Sequence, residues 1–208
     1  MTRVDVDNDA TDPTAEEQVL ALLRQDDPAA APRLLEVFGS RVYALVLRIL
    51  ASEEDAQEAV QETFLKIWEK WPTFRGRSSF SSWIYRIAAN CAYMKLRRRK
   101  RTTERMHSAE LDESVEARAS VTGVDAQRLR PDHVLARQEV RESIEAAVRD
   151  LSPTYRTAFV LKDLEGMSVR DIAEIMELSE AAVKSRIHRA RLQMRETLSR
   201  LLDGEPVP

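Results

Sequence analysis

Cysteine is nearly absent. Cys91 stands alone among 208 residues, which excludes an internal disulfide and a cysteine-based zinc site. Such a thiol is expected to be buried in a reduced cytoplasm. Five glycines and eight prolines are few, so the reading starts from helix rather than sheet. No stretch approaches the roughly 20 apolar residues needed to span a membrane. The most apolar run, Val42 to Leu50, is broken by Arg48, and no membrane insertion is expected. Residues 1–13 carry acids and no apolar core, so they are expected to be disordered and to form no signal peptide. A Gly-rich phosphate loop, paired Cys/His ligands and a nucleophile motif are all missing. An enzyme is therefore not expected, and neither is a cofactor or a metal.

What is present is charge, and it is segregated. The net charge of −3 argues against a nucleic-acid partner, but the distribution argues for one. Arg86 to Arg101 holds seven basic residues and no acid, and Ala181 to Arg195 holds five, one His and no acid. Glu53 to Glu69 holds six acids and a single Lys66. Such segregation creates local fields that the net charge hides.

The apolar periodicity is helical throughout. Thr14-Ala15-Glu16-Glu17 fits a capping box that opens a short helix to Arg24. A second helix, about 29–50, places Leu34, Leu35, Phe38, Val42, Leu45, Val46 and Ile49 on one face. Ser52 caps a third, acidic at its start, whose apolar face runs through Ala59, Val60, Thr63, Phe64, Ile67 and Trp68 to Trp71 before Pro72 stops it. After a loop at 73–79, a fourth helix runs from Phe80 into the basic run ending at Arg101. Residues 102–134 have weak periodicity with Gly123 and Pro131 and read as a linker. Helical pattern resumes near Leu135, and Ser152-Pro153 opens another helix to about Gly166. The expected fold is all-α, two small helical domains at 14–101 and 135–203 joined by a flexible linker, with a tail at 204–208.

The sharpest motif lies in the second domain. Ser168 to Met176 is a short capped helix, Glu177-Leu178-Ser179 a turn, and Glu180 onward a long helix. That is helix-turn-helix spacing, in which the second helix enters the major groove. Ala173 is small where the two helices cross, and Leu178 fills the turn. Val183, Ile187, Ala190 and Met194 recur at four, three and four and so face the core. Lys184, Ser185, His188 and Arg189 then face outward, flanked by Arg186, Arg191 and Arg195. Arg and Lys contact guanine edges, Ser and His bond base edges, and outer arginines hold phosphates. A solvated basic face is the bland alternative, and the coincidence with a capped helix-turn-helix weighs against it.

The first domain interleaves aromatics with cations: Phe74, Phe80, Trp83, Tyr85 and Tyr93, then Arg97 to Arg101. That mixture suits single-stranded DNA, whose bases stack or flip while its backbone follows positive charge. Phe80 and Trp83 are more readily read as core. Phe74, beside Arg75 and Arg77 in a Gly-containing loop, is not. Asp55, Glu58 and Glu62 fall on one face of the acidic helix, which repels DNA and suits a protein partner. On these residues a stand-alone helix-turn-helix regulator stays open, although it leaves the aromatic-basic segment and the acidic helix unexplained.

Three segments, taken together, resemble the extracytoplasmic-function sigma factors. Asp55-Ala56-Gln57-Glu58-Ala59-Val60-Gln61-Glu62-Thr63-Phe64-Leu65-Lys66-Ile67-Trp68 is similar to their polymerase-binding helix. Phe74-Arg75-Gly76 and Phe80-Ser81-Ser82-Trp83-Ile84-Tyr85-Arg86-Ile87-Ala88-Ala89-Asn90 are similar to their minus-ten segment. Leu151-Ser152-Pro153, Asp171-Ile172-Ala173 and the run from Val183 to Arg191 are similar to their minus-thirty-five domain. The resemblance implies a subunit that binds core RNA polymerase, directs it to promoter DNA and helps melt the minus-ten element. It implies polymerase contacts from Asp55, Glu58, Gln61, Glu62 and Phe64. A flipped base would be received near Phe74 by Lys66, Ile87 and Asn90, with Arg75, Arg77, Trp83, Arg86, Arg97 and Arg98 along the melted strand. Lys184, Ser185, Arg186, His188, Arg189 and Arg191 would meet the minus-thirty-five element. An anti-sigma factor is a further partner it implies. One departure is Met94, where the family usually has an acid.

Overall fold

A computed structural model describes residues 13–109 and 133–202, with side chains for 14–102 and 142–200. Among the described residues every regular element is helical. Helices α1 (Pro13–Arg24), α2 (Ala30–Leu50), α3 (Glu53–Lys70) and α4 (Phe80–Ala109) form the first unit. Helices α5 (His133–Asp150), α6 (Pro153–Phe159), α7 (Val169–Met176) and α8 (Glu180–Leu202) form the second. A 3₁₀ turn covers Trp71–Thr73, and a π turn, Val160–Leu164, extends α6.

The caps explain the boundaries. Ser52 accepts from the Asp55 N–H at 3.4 Å and starts α3. Helix α2 ends at Ala51, which turns left-handed (φ 51°) and returns its N–H to the Leu47 carbonyl. Pro153 at the first turn starts α6, while Ser152 makes no side-chain cap, contrary to expectation. Helix α1 already begins at Pro13, so Thr14, expected as its N-cap, lies within its first turn. Glu16 acts at a distance instead, accepting from the Phe80 N–H at 2.6 Å and so capping α4 from α1.

The expected apolar face of α2 is buried at Leu34, Phe38, Val42, Leu45, Val46 and Ile49, but Leu35 points away and is half exposed. On α3, Trp68 likewise leaves the face and is half exposed, because Ala56, Ala59, Thr63 and Ile67 already complete the buried stripe. Helix α4 continues eight residues past Arg101, to Ala109, with no Gly or Pro to stop it. The start of the expected linker is thus helical, and the segment 110–132 lies outside the described residues. So do residues 1–12 and the tail at 204–208.

Phe38 is the hub of the first core, meeting the edges of Phe80 at 5.9 Å and Tyr85 at 6.4 Å. Leu161, Ile172, Met176, Val183 and Ala190 close the second. Both belong to one continuous buried cluster. Helix α2 packs on α5 and α6, and α4 packs on α7.

Candidate nucleic-acid interface

Helix α7, the turn and α8 hold the expected helix-turn-helix. Ser168 accepts from the Asp171 N–H at 3.1 Å, and Ser179 from the Ala182 N–H at 3.2 Å. Glu177 adopts the left-handed conformation (φ 52°), and the Leu178 N–H reaches the Ala173 carbonyl at 2.9 Å, tightening the turn. Val183, Ile187, Ala190 and Met194 are buried, as their spacing predicts. Lys184, Ser185, His188 and Arg189 are exposed on the other side. Arg189 donates to the Tyr155 hydroxyl at 3.2 Å. Arg191 is gripped by Asp163, Nη2 at 2.5 Å and Nε at 3.2 Å from each carboxylate oxygen. Arg186 is half-buried, and its Nη1 has no hydrogen-bond partner among the described residues.

The aromatic segment is partly core. Phe80 is fully buried and Tyr85 and Tyr93 nearly so, which removes three of the five aromatics from any surface role. Phe74 packs on Phe80 at 5.2 Å and on Trp83 at 5.6 Å, and Phe80 stacks on Trp83 at 5.6 Å. Phe74 and Trp83 are half-buried, each keeping accessible area. Arg75 and Arg77 are exposed in the loop, where Gly76 supplies the left-handed φ of 68° that the turn requires. Ile87 and Asn90 continue along α4, and Asn90 donates to the Arg86 carbonyl at 3.0 Å. Lys66 bonds Glu62 at 2.6 Å, which holds that carboxyl below its ordinary range and raises the lysine. Beside it, burial pushes the Cys91 thiol up, so this cysteine is a shielded thiol rather than a nucleophile.

The acidic face of α3 is not bare. Lys95 of α4 reaches both Asp55, at 3.3 Å, and Glu58, and Arg99 lies 3.4 Å from Asp55. With Arg98 and Glu62 these side chains line a charged groove between the two helices. Gln61 is exposed, while Phe64 is half-buried against the core. The exposed apolar side chains of α3 are instead Leu65, 72% accessible, and Trp68, 49%. Lys95 went unnoticed in the sequence because only the packing of α3 on α4 aligns it.

Between the two units lies a polar seam that sequence reading missed. Arg156 is buried and donates to the carbonyls of Ile49 (3.1 Å), Arg149 (2.8 Å) and Leu50 (3.5 Å). It thereby caps the C-terminus of α2 from the other unit, where carbonyls and dipole favour a cation. Arg48 meets Glu145 at 3.1 Å, and Arg41 lies 3.8 Å from Glu165, whose carboxyl burial pushes up. Arg86 pairs with Asp171, and Arg97 with Glu177 at 2.5 Å. Arg98 stays exposed. No group of acids, histidines or cysteines among the described residues could hold a metal, and no described helix is long and apolar enough to cross a membrane.

Known proteins share this arrangement. Residues 34–102 match the family model for Sigma-70 region 2, and residues 141–194 that for Sigma-70, region 4. The RNA polymerase sigma-H factor of Pseudomonas aeruginosa is 30% identical over 188 residues, covering 90% of this chain and 95% of that protein. The ECF RNA polymerase sigma-E factor of Haemophilus influenzae is 32% identical over 182 residues, 86% of this chain and 93% of that protein. Two solved structures share the fold. One is the sigma factor RpoE with the anti-sigma factor NepR from Bartonella quintana (TM-score 0.52, 22% identity, 88% of this chain and 96% of that one). The other is CnrH with the cytosolic domain of CnrY (TM-score 0.52, 23% identity, 92% and 99%).

Proposed function

The chain belongs to the extracytoplasmic-function RNA polymerase sigma factors, and from that premise we propose how its residues divide the work of promoter-directed initiation. Helix α3 docks on core polymerase through Asp55, Glu58, Gln61 and Glu62, with Leu65 and Trp68 supplying the apolar contact that the half-buried Phe64 supplies only in part. The loop and the start of α4 receive the melted minus-ten strand. Flipping a base out of the stack costs a few kcal/mol. Stacking on Phe74 and Trp83 returns about 1–3 kcal/mol per base, while Lys66, Arg75, Arg77, Arg86, Arg97 and Arg98 attract the backbone. Ile87 and Asn90 line the pocket wall.

Helix α8 reads the minus-thirty-five element through Lys184, Ser185, His188 and Arg189, with Arg186 and Arg191 at the phosphates. The observation that carries this assignment is the exposed quartet on α8, opposite a face buried at Val183, Ile187, Ala190 and Met194. The protein is a transcription initiation factor acting on DNA in the cytoplasm, with no catalytic chemistry of its own. Both structural neighbours are complexed with other proteins, NepR being an anti-sigma factor. An anti-sigma factor is accordingly the partner that would restrain this chain.

Run-off transcription with core RNA polymerase on a promoter library tests the proposal. Transcripts that need the protein, and that change when Lys184 to Arg189 are substituted, are the expected result. Sequence-specific DNA binding without polymerase, and no polymerase-dependent transcript, would favour a stand-alone regulator.

A further inference from the structure

Two arginines of α8 are held from outside the helix, and their holders differ in kind. Asp163 grips Arg191 with both carboxylate oxygens, so that guanidinium is engaged along its Nε–Nη2 edge and its charge is matched. Arg189 meets a neutral partner instead: its Nη1 donates to the Tyr155 hydroxyl at 3.2 Å. A guanidinium carries more N–H donors than one hydroxyl can use. The remaining donors and the whole positive charge stay available. Among them is the Nε–Nη2 edge, whose parallel donors suit the O6 and N7 acceptors of guanine. A neutral hydroxyl thus holds this arginine without competing for its ligand.

Tyr155 is built to hold rather than to follow. It stands in the first turn of α6, where Pro153 fixes the backbone. Its ring is half-buried against the core. The next residues, Arg156 and Thr157, are buried, and the Thr157 hydroxyl donates to the Pro153 carbonyl at 2.8 Å. Helix α6 packs directly on α8, so the hydroxyl is carried on a fixed support. Arg189 has the opposite character. It is exposed, so packing alone leaves its rotamers open, and an arginine gives up much rotamer freedom when a ligand fixes it. A side chain ordered beforehand gives up less on binding.

We propose that Tyr155 is a positioning residue for minus-thirty-five recognition: its hydroxyl, carried on α6, pre-orders the Arg189 guanidinium on α8 for the base that Arg189 reads. This rests on the assignment of Arg189 to a base edge. Tyr155 acts through Arg189, so losing the hydroxyl costs discrimination at one base pair and spares the phosphate contacts, which carry no sequence information.

The test uses the full chain and Tyr155→Phe, which keeps the ring and removes the hydroxyl. In the free protein, nitrogen relaxation of the Arg189 Nε–H group should show greater mobility in the variant, while Arg191, held by Asp163, stays unchanged. Equal mobility of Arg189 in wild type and variant would overturn the proposal, whatever the chain does with DNA. Holoenzyme reconstituted with core RNA polymerase is then bound to fluorescein-labelled promoter duplexes in which each minus-thirty-five base pair is substituted in turn. Tyr155→Phe should weaken binding to the unsubstituted duplex about threefold, and leave unchanged the affinity for the duplex that lacks the Arg189 base. In an Arg189→Ala background it should have no further effect. Equal weakening on every duplex, or in the Arg189→Ala background, would make Tyr155 a packing residue and sink the positioning role. A lowered thermal midpoint would accompany that outcome. If Arg189→Ala itself spares specificity, the base reading fails and the positioning role falls with it, which separates that failure from a failure of Tyr155 alone.

Discussion

The two DNA-facing surfaces of this molecule differ in how they are held. The α8 face is built from one helix, with Lys184, Ser185, His188 and Arg189 exposed opposite a buried stripe. Among the contacts described, only Arg189 and Arg191 are steadied from outside it, by Tyr155 and Asp163. The α4 face is shared between distant segments: Phe74 leans on Phe80, Glu16 caps the helix from α1, and α7 takes up Arg86 and Arg97. A local surface is ready for its ligand as folded. A shared surface can be opened or closed by whatever moves its distant parts.

The contrast breaks most sharply at Arg156, the one buried cation among the described residues. Arg156→Ala leaves the Ile49, Leu50 and Arg149 carbonyls without their donor and is expected to cost about 1.5–3 kcal/mol, the range for hydrogen bonds from a charged group. Thermal unfolding should show the loss, and scattering should show separation of the units. Unfolding unchanged from wild type would mean that water replaces the guanidinium without penalty. Burial also lowers the pKa of this guanidinium, but arginine stays charged across the working pH range.

On α8 the effects should be smaller and graded by prior engagement. Arg189→Ala is expected to weaken minus-thirty-five recognition by about 1–3 kcal/mol and to relax specificity at one base position. Arg191→Ala should cost less, because Asp163 already holds that guanidinium and DNA must compete for it. Its loss should be uniform across sequences, with the salt slope reduced by about one. Equal effects from the two substitutions would erase the distinction. Competition binding at several salt concentrations measures both.

These two faces also mark what sequence alone can carry. The α8 face was legible because one helix produces it: Ser179 caps it, and spacings of four, three and four name its buried residues. Ser52 and Ser168 were legible for the same local reason. Phe80 was legible as core, but Tyr85 and Tyr93 misled as surface aromatics, since the alternation of rings and cations does not say which rings are buried. The pairing of Arg86 with Asp171 spans 85 residues and leaves no periodic trace. The continuation of α4 past Arg101 was hidden by polar composition, although nothing there breaks a helix.

The smallest expected effect is a pH dependence of the seam, and it has two signs. Burial raises the Glu165 carboxyl above its ordinary 4.5, against the opposing pull of Arg41 and Arg48. A carboxyl raised in the closed form contributes stability that is fully present below 4.5 and is lost as pH rises through the raised value. Glu177 behaves oppositely: its hydrogen bond to Arg97 lowers it, so its contribution is present above its ordinary value of 4.5 and fades as pH falls through the lowered one. Titrated by scattering, the closed form should therefore loosen slightly as pH rises above the ordinary carboxylate value. Glu165→Gln should flatten that limb while leaving the acid limb to Glu177. If the upper limb survives in Glu165→Gln, another group couples the two units, and the buried carboxylate is a spectator of the seam.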